Sequence, residues 1–313
     1  MGFQFEHVLC NVCGVDDCHP VAVGEDFEYG TSDQEFMAVQ CRRCDTVYLN
    51  PRPDSDGIRL AYPENYHAFQ FDESEFGLVY RVRQRLEARR LLRWCRGLPD
   101  GAAILDIGCG DGFHVELLRK FGKPTWEVDG VDSDSRAVSG ARKRGIDIHQ
   151  GSIEELNLKQ ESYDLILMIM TIEHVCDPLA MLKVVSGLLK PGGRLVIVTD
   201  NTGSPDFRIF GNRHWGGYHF PRHLYLFNRR NLSQLCDRAG LKTVSVKSAL
   251  SPVNWTYSFR NWIQDWKGPS WLKNRLSLSS PLSLAIFTAI DLPLSMVGIG
   301  AILHGVFVKE KSK

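Results

Sequence analysis

The stretch from Ala103 to Gly112, AILDIGCGDG, constrains the fold of this 313-residue chain most strongly. It begins with branched apolar residues, which are typical of a buried strand in a parallel sheet. Glycines at every second position then form a turn that accepts positive φ and brings backbone N–H groups close to a ligand. A helix is predicted from about Phe113 to Phe121, and a second strand, Trp126 to Val131, ends at Asp132. This order predicts a nucleotide site at the carboxyl edge of a doubly wound sheet, where the Asp132 carboxylate accepts hydrogen bonds from ribose hydroxyls.

The glycine spacing is G-x-G-x-G and therefore differs from the dinucleotide fingerprint G-x-G-x-x-G. Together with the acidic residues around it, the turn resembles the cofactor motif of class I S-adenosylmethionine-dependent methyltransferases. Three later segments extend the resemblance over roughly residues 100–245: YDLILMI (163–169), TIEHVCDP (171–178) and LKPGGRLVIVTDN (189–201). The resemblance implies an α/β fold with a Rossmann-like, seven-stranded doubly wound sheet that binds S-adenosylmethionine.

The same resemblance implies which residues bind the cofactor. The loop after the third strand lies beside the adenine ring in this family and often carries an aspartate, where this chain has Ser152. The serine hydroxyl or the Ile153 backbone can make the same contact. Met170, at the end of the fourth strand, is expected beside the methionine part. The implied cofactor residues are Asp106, Gly108, Cys109, Gly110, Asp132, Ser133, Ser152, Ile153 and Met170.

Histidines are concentrated in the segment HWGGYHFPRHLYLF (214–227), which follows the fifth predicted strand. It resembles the P-x-H-x-x-x-F stretch of methyltransferases related to ubiquinone-pathway O-methylation and to sugar methylation, which implies that His223 lies near the substrate. His219 and His174 are further candidates for a general base, since histidine is suited to proton transfer near neutral pH. The alternatives are that His223 packs at the start of a helix over Arg229–Ala239 and that His174 only holds its loop. The implied reaction is an in-line displacement at the methyl group, with a histidine removing the acceptor's proton.

Two C-x-x-C pairs stand near the N-terminus, Cys10/Cys13 and Cys41/Cys44. Two such pairs supply four sulfur ligands for a tetrahedral site, and four thiolates leave no open position for catalysis. The spacing therefore predicts structural zinc in a zinc-ribbon module over residues 1–50, with a hairpin from Phe27 to Gln40 spanning the gap. A rubredoxin-like iron site and free thiols are the alternatives. Methyltransferases that act on sugars and carry zinc show a similar combination.

The rest of the chain divides by composition into a linker with N-terminal helices (51–98), the cofactor-binding domain (99–250), an aromatic and apolar insertion (251–303) and a last strand with the tail (304–313). The insertion ends in an apolar run, Leu282 to Leu303, but Asp291 and Pro293 interrupt it and disfavour a membrane-spanning helix. A hydrophobic lid, a dimer surface and contact with lipid remain open. Tryptophans beside basic residues are typical of peripheral membrane contact, here through residues 255–303.

The charge balance limits the classes of partner. With 37 basic and 37 acidic residues the formal net charge is zero, so no broad surface for nucleic acid is expected. The first ten residues do not resemble a secretory signal, and nine cysteines favour a reducing, cytoplasmic environment, at the inner face of a membrane if the insertion binds lipid. The predicted function is methyl transfer to a small molecule: a sugar, a lipid-linked acceptor or a quinone-like acceptor. RNA methylation and a non-catalytic, cofactor-binding scaffold are the alternatives, and no pattern indicates the oligomeric state.

Overall fold

The computed structural model describes residues 3–64, 66 and 73–311, so that residues 65 and 67–72 of the predicted linker lie outside the described residues. The N-terminal segment contains five short strands. These are β1 (Phe5–Glu6), β2 (Cys18–Gly24), β3 (Phe36–Cys41), β4 (Val47–Leu49) and β5 (Arg52–Pro53). β2, β3 and β4 form an antiparallel sheet, and β1 pairs with β5.

The hairpin that spans the two cysteine pairs differs from the predicted one. It is formed by β2 and β3, in which Cys18 pairs with Cys41, and residues 25–35 form its loop. The proline-rich segment from Tyr48 to Pro63, which reads as a linker, instead contains parts of β4 and β5 and a 3-10 helix, Gly57–Ala61. Four of its apolar residues, Tyr48, Leu49, Ile58 and Ala61, are buried, and this burial outweighs the proline and aspartate signal for an open loop.

The rest of the chain alternates helices and strands. In order these are α1 (Glu73–Trp94), β6 (Ala103–Ile107), α2 (Phe113–Phe121), β7 (Glu127–Asp132), α3 (Ser135–Lys143), β8 (His149–Gln150), β9 (Tyr163–Ile169), α4 (Pro178–Leu188), β10 (Leu189–Asp200), α5 (Pro205–Phe210), β11 (Tyr225–Leu226), α6 (Arg229–Arg238), β12 (Leu241–Ala249), α7 (Pro252–Asp265), α8 (Ser270–Arg275), α9 (Pro281–Met296) and β13 (Ile302–Lys309). Strand β7 ends one residue later than the predicted Val131, and β8 covers only the last two residues of the third strand, which the sequence predicts over Ile146 to Gln150.

Seven strands form the central sheet in the order β12-β13-β10-β9-β6-β7-β8. β13 is antiparallel to both of its neighbours, and the other pairs are parallel. Alternate residues of one strand enter two separate apolar cores: Ile166 and Met168 lie in one, Leu165 and Leu167 in the other. Because both faces of the sheet are buried at its centre, strand β9 is apolar from Leu165 to Ile169. The predicted α/β fold with a seven-stranded doubly wound sheet is confirmed.

The N-terminal sheet is joined to the central domain by a strand from that domain. β11 pairs with β4, with Tyr225 opposite Tyr48, and completes a four-stranded sheet. The buried Arg52 guanidinium donates hydrogen bonds to the Cys176 carbonyl oxygen at 2.7 Å and to the Tyr225 hydroxyl at 3.3 Å. The N-terminal sheet therefore lies against the loop that follows β9, at the carboxyl edge of the central sheet.

The segment between β12 and β13 folds into α7, α8 and α9. Asp291, which interrupts the apolar run in the sequence, is buried and accepts hydrogen bonds from the Ser251 N–H at 2.8 Å and from the Trp255 indole N–H at 3.1 Å. Its carboxylate therefore fastens α9 to the start of α7. Among the described residues, no helix combines the length and the apolar character that crossing a membrane requires.

Candidate functional site

The glycine-rich turn after β6 packs directly against the loop that follows β9. Gly108 and Gly110 have φ of +69° and +56°, a conformation that a Cβ disfavours. A Cβ on Gly108 would lie 2.5 Å from the Thr171 side chain, which leaves no room for a larger residue. Thr171 donates a hydrogen bond from Oγ1 to the Ile107 carbonyl oxygen at 3.0 Å. The turn that is predicted to bind the cofactor is thus fixed by the loop that carries His174.

Asp132 presents its carboxylate beside this turn, at the end of β7. One oxygen accepts a hydrogen bond from the Gly110 N–H at 2.8 Å and the other from the Asp134 N–H at 2.9 Å. Burial raises the pKa of the Asp132 carboxyl to about 6, although these two hydrogen bonds act in the opposite direction. Each oxygen keeps a second lone pair, so the carboxylate can accept two further hydrogen bonds from a diol.

Asp106, two residues before the glycine-rich turn, carries an orphaned oxygen. Its side chain is 1% exposed, and Oδ2 has no hydrogen-bond partner among the residues described. The nearby His114 Nδ1 lies 3.6 Å from Oδ2, beyond hydrogen-bond distance. A buried carboxylate oxygen without a donor is costly, so this position fits a cationic donor such as the amino group of the expected cofactor.

Three other predicted cofactor residues lie at the same sheet edge in different environments. Cys109 is buried, and burial raises the pKa of its thiol. Ser133 is exposed beside Asp132. Met170 is exposed and has a φ of +53°, which is rare for a side chain of this size and turns the chain away from β9. Cys109 therefore contributes packing and backbone, whereas Met170 has a side chain that a ligand can reach.

The loop after β8 is fastened to the acidic end of β7. The Gly151 N–H donates to the Asp132 carbonyl oxygen at 3.0 Å. The Ser152 carbonyl oxygen accepts from the Glu155 N–H at 3.1 Å, and Ile153 is 2% exposed. The backbone of Ser152 and Ile153 is thereby held next to Asp132, where the family resemblance implies the adenine ring.

The three predicted histidines come from two separate loops and meet in space. His174 follows β9, while His219 and His223 precede β11. The ring centroids of His174 and His223 are 4.5 Å apart, and those of His219 and His223 are 4.7 Å apart. They form one histidine cluster, with His223 at its centre.

Burial keeps two of these rings neutral. It lowers the pKa of His223, which the Asp200 carboxylate opposes only in part, and it lowers the pKa of His174 still further. His223 Nδ1 donates to the Gly217 carbonyl oxygen at 2.7 Å and lies 3.3 Å from Asp200 Oδ2. His174 Nδ1 lies 3.0 Å from the Tyr62 hydroxyl. The ring orientations are therefore fixed by neighbouring oxygen atoms.

His219 differs because a carboxylate from the N-terminal segment contacts its ring. His219 Nδ1 and Glu28 Oε2 are 2.5 Å apart. Burial alone would lower the pKa of His219, but the charge and the hydrogen bond of Glu28 outweigh it and raise that pKa. A ring whose Nδ1–H is held by a carboxylate has a more basic Nε2. Sequence analysis missed Glu28, because 191 residues separate the two partners.

A buried ion pair holds the Glu28 loop against the histidine-bearing loop. Arg222 and Asp26 are both fully buried, and the guanidinium donates two hydrogen bonds to the carboxylate, at 2.6 and 3.0 Å. The same guanidinium donates to the Ala61 carbonyl oxygen at 2.9 Å. Apart from its place between two histidines, nothing in the sequence marks Arg222 as a site residue. Its guanidinium nevertheless connects its own loop to the segments of Asp26 and Ala61.

Tyrosines form an aromatic wall beside the histidine cluster. The ring centroids of Tyr62 and Tyr66 are 5.1 Å apart, and those of Tyr29 and Tyr66 are 5.6 Å apart. Tyr62 also contacts His174, with ring centroids 6.2 Å apart. We did not predict Tyr62 and Tyr66, because the segment YPENY (62–66) has the composition of a linker.

Glu173 is buried beneath the cluster. Burial, reinforced by the charge of Asp200, raises the pKa of the Glu173 carboxyl to about 8, so it is mostly protonated at pH 7. Its Oε2 accepts a hydrogen bond from the Thr199 hydroxyl at 2.9 Å. Ligand atoms of Glu173, His174 and His223 lie within 4.8 Å of one another, a spacing that is also compatible with metal ligation.

The four predicted metal ligands converge at the base of the N-terminal sheet. The Sγ atoms of Cys10 and Cys44 are 3.4 Å apart and those of Cys13 and Cys41 are 3.5 Å apart, and all four lie within 4.8 Å of one another. Sulfur atoms at the corners of a zinc tetrahedron with 2.3 Å bonds are about 3.8 Å apart. The four-cysteine cluster therefore fits a tetrahedral metal ion. Cys18 is outside this cluster.

Comparison with known proteins places the central domain among methyltransferases. Residues 79–246 match the family model described as a methyltransferase domain. A ubiquinone biosynthesis O-methyltransferase of Cereibacter sphaeroides is 32% identical over 178 residues, which cover 50% of this chain and 68% of that protein. A solved S-adenosylmethionine-dependent methyltransferase of Thermotoga maritima has a TM-score of 0.50 at 24% identity, covering 76% of this chain and 94% of that chain. An N-methyltransferase of Haemonchus contortus has a TM-score of 0.51 at 16% identity, covering 94% and 68%. The two structures share the fold.

Proposed function

The chain belongs to the methyltransferase-domain family and is an S-adenosylmethionine-dependent methyltransferase, and from this premise we propose that it methylates a hydroxyl group of a small, quinol-like aromatic acceptor. The name of the Cereibacter sphaeroides relative supports transfer to oxygen on such a molecule. The observation that carries the proposal is the aromatic wall of Tyr29, Tyr62 and Tyr66 beside three histidines. Tyrosine rings favour an aromatic acceptor through offset or edge contacts.

The cofactor fits the residues around the glycine-rich turn. When bound, S-adenosylmethionine supplies a methyl group on a positively charged sulfur, and that sulfur leaves as the acceptor oxygen attacks the methyl carbon in line. Asp132 would accept hydrogen bonds from the ribose hydroxyls, and the orphaned Asp106 oxygen would accept one from the amino group. Ser152 and Ile153 would border the adenine, and Met170 the methionine part.

Removal of the Asp132 carboxylate tests the ribose contact. We expect Asp132→Ala to weaken binding of S-adenosylhomocysteine by about 100-fold, because two charge-assisted hydrogen bonds are lost. Since the pKa of Asp132 is raised to about 6, wild-type affinity should also fall as the pH drops from 7.5 to 5, when the carboxyl protonates. Isothermal titration calorimetry measures both effects, with Asp129→Ala on the same strand as the control. Equal affinity for Asp132→Ala and the wild type would remove this assignment.

The general base that we propose is His219, positioned by Glu28. The Glu28 carboxylate holds Nδ1 and raises the pKa of the ring, which leaves Nε2 to take the proton from the acceptor hydroxyl. His223, in contact with His219 and His174, separates and orients the two outer rings. Tyr62 would align the acceptor while its hydroxyl contacts His174.

We also propose that the four-cysteine cluster binds one structural zinc ion. Four sulfur atoms complete a tetrahedron and leave no position for substrate. The ion would hold together the two ends of the β2–β3 hairpin, whose loop supplies Asp26 and Glu28 to the site. The metal would thus support catalysis by positioning, without contact with the reacting atoms.

The function is tested with the purified full chain and labelled S-adenosylmethionine. We expect calorimetry to show micromolar binding of S-adenosylmethionine and of S-adenosylhomocysteine, and mass spectrometry to show methylation of catechol-type and quinol acceptors. Nucleotide sugars, lipid-linked sugars and RNA form the comparison panel. Methylation confined to a sugar or to RNA would replace the aromatic acceptor with that substrate class, and failure to bind either cofactor would contradict the proposed cofactor residues.

A further inference from the structure

The outward face of α9 is apolar and uncovered. We use the term α9 face for Leu282, Ile286, Ile290, Leu292, Met296 and Val297, whose exposed fractions run from 40% to 79%. Only one stripe of the helix is buried against the protein: Ser283, Phe287 and Asp291, four residues apart. A surface helix of a globular protein normally presents polar residues to water. The α9 face therefore has the composition of a contact surface.

The charged residues in the sequence around this face are mostly basic. Residues 266–303, all of which the structure describes, contain the charged residues Lys267, Lys273, Arg275 and Asp291. Asp291 is fully buried, with its oxygens bonded to Ser251 and Trp255, so the exposed charges of this stretch are all positive. Asp265, directly before the stretch at the end of α7, is exposed but lies 2.8 Å from His214 and 3.4 Å from Arg213. The α9 face thus meets no exposed acidic side chain within this stretch.

Exposed tryptophans accompany these basic residues on α7 and α8. Trp262, Trp266 and Trp271 are 45%, 70% and 61% exposed, and the Arg275 guanidinium lies 6.0 Å from the Trp271 ring centre. Indole rings beside lysine and arginine are suited to the boundary between lipid headgroups and acyl chains.

We propose that the α9 face, with the tryptophans and basic residues of α7 and α8, docks on the surface of a bilayer that contains anionic lipids. A second copy of the chain is the competing occupant. In a two-fold dimer the same patch meets itself, which brings the positive rims together and makes them repel. Anionic headgroups instead neutralise these charges while the acyl region covers the apolar side chains. Asp291 keeps α9 fastened to α7, so that only the outer face enters the lipid.

Vesicle co-sedimentation of the full-length protein tests this proposal. We expect binding to vesicles of phosphatidylcholine mixed with phosphatidylglycerol, weaker binding to phosphatidylcholine alone, and a loss of binding as salt is raised. The variant Leu282→Gln/Ile286→Gln/Ile290→Gln should lose binding to both. Charge reversal, Lys267→Glu/Lys273→Glu/Arg275→Glu, should weaken binding to the anionic vesicles at least tenfold, since each basic residue near an anionic surface adds to the attraction.

The matched control uses a second exposed apolar stripe of the same chain, on α1. Leu78, Val82 and Leu86 are 57%, 48% and 58% exposed, and their triple change to Gln should leave vesicle binding unchanged. All substituted side chains are exposed or half-buried, and circular dichroism verifies that each variant is folded. Absence of vesicle binding by the wild type, or its loss in the α1 variant alone, would overturn the proposal. So would a dimer, seen by sedimentation, that the α9 variant converts to a monomer without any change in vesicle binding.

Discussion

A Cys41→Ser variant is expected to lose the proposed zinc ion and the fold of the N-terminal sheet, the largest stability effect of any single substitution considered for this chain. Binding of a structural zinc ion contributes directly to folding, with an apparent binding free energy of about 10–16 kcal/mol in zinc-finger peptides at pH 7. The four sulfur atoms lie within 4.8 Å of one another, so removal of one breaks a complete tetrahedron. Elemental analysis should find about one zinc ion per wild-type chain, as four thiolates bind one ion, and much less in the variant. Thermal unfolding should begin far below that of the wild type.

The control for this experiment is Cys18→Ser. Cys18 pairs with Cys41 across the β2–β3 hairpin but lies outside the cluster, so its substitution should leave metal content unchanged. If elemental analysis finds iron in place of zinc in the wild type, the four-cysteine metal site stands and the identity of its metal is revised. A Cys41→Ser protein with normal stability and normal metal content would contradict the structural role.

The largest catalytic effect is expected from His219→Ala, which should lower kcat/KM by about 10²–10⁴-fold, the usual contribution of a general base. Glu28→Gln should lower kcat/KM by a smaller factor. It should also shift the pH–rate profile, which tests the pairing of Glu28 with His219. The Glu28 carboxylate stabilises the protonated ring, so its neutralisation lowers the pKa of His219. Activity is lost below the pKa of the base, and the acidic limb of the pH–rate profile should therefore move to lower pH.

A second histidine–carboxylate pair provides the matched control. His214 Nε2 and Asp265 Oδ2 are 2.8 Å apart, on the outer side of the same loop. His214→Ala should change kcat/KM by no more than about twofold, in the range of substitutions away from the reacting atoms. If His223→Ala abolishes activity while His219→Ala retains it, the base is His223. An unchanged pH profile for Glu28→Gln would show that Glu28 only fills space.

The sequence was sufficient for the central sheet because each of its strands carries a local signal. The strand over residues 163–169 is apolar from Leu165 onward, and the turn at Gly108 needs glycine for both its φ and its contact with Thr171. Local signals of this kind do not depend on distant partners. The cofactor residues are accordingly the part of the site that sequence reasoning could name, and they await the binding test.

The acceptor side was less accessible to sequence reasoning, because its residues come from distant segments. Glu28 and Tyr62 belong to segments without a recognised motif, and their contacts with His219 and His174 span 191 and 112 residues. The position of Asp291 shows the same limit. The sequence presents it as a charge within an apolar run, but it faces inward, so the interruption is absent from the surface of α9.

With zinc bound at the four-cysteine cluster as proposed, the Arg222–Asp26 pair would link the histidine cluster to the metal. Asp26 and Glu28 lie in the loop of the β2–β3 hairpin, whose opposite end carries Cys41, so loss of the ion would loosen the hairpin that supports this loop. Arg222 would then remain in the interior without its counter-charge, a situation that costs about 3–5 kcal/mol. Treatment with a chelator, or oxidation of the thiols, would consequently lower the activity of the histidine cluster from a distance, through the hairpin alone.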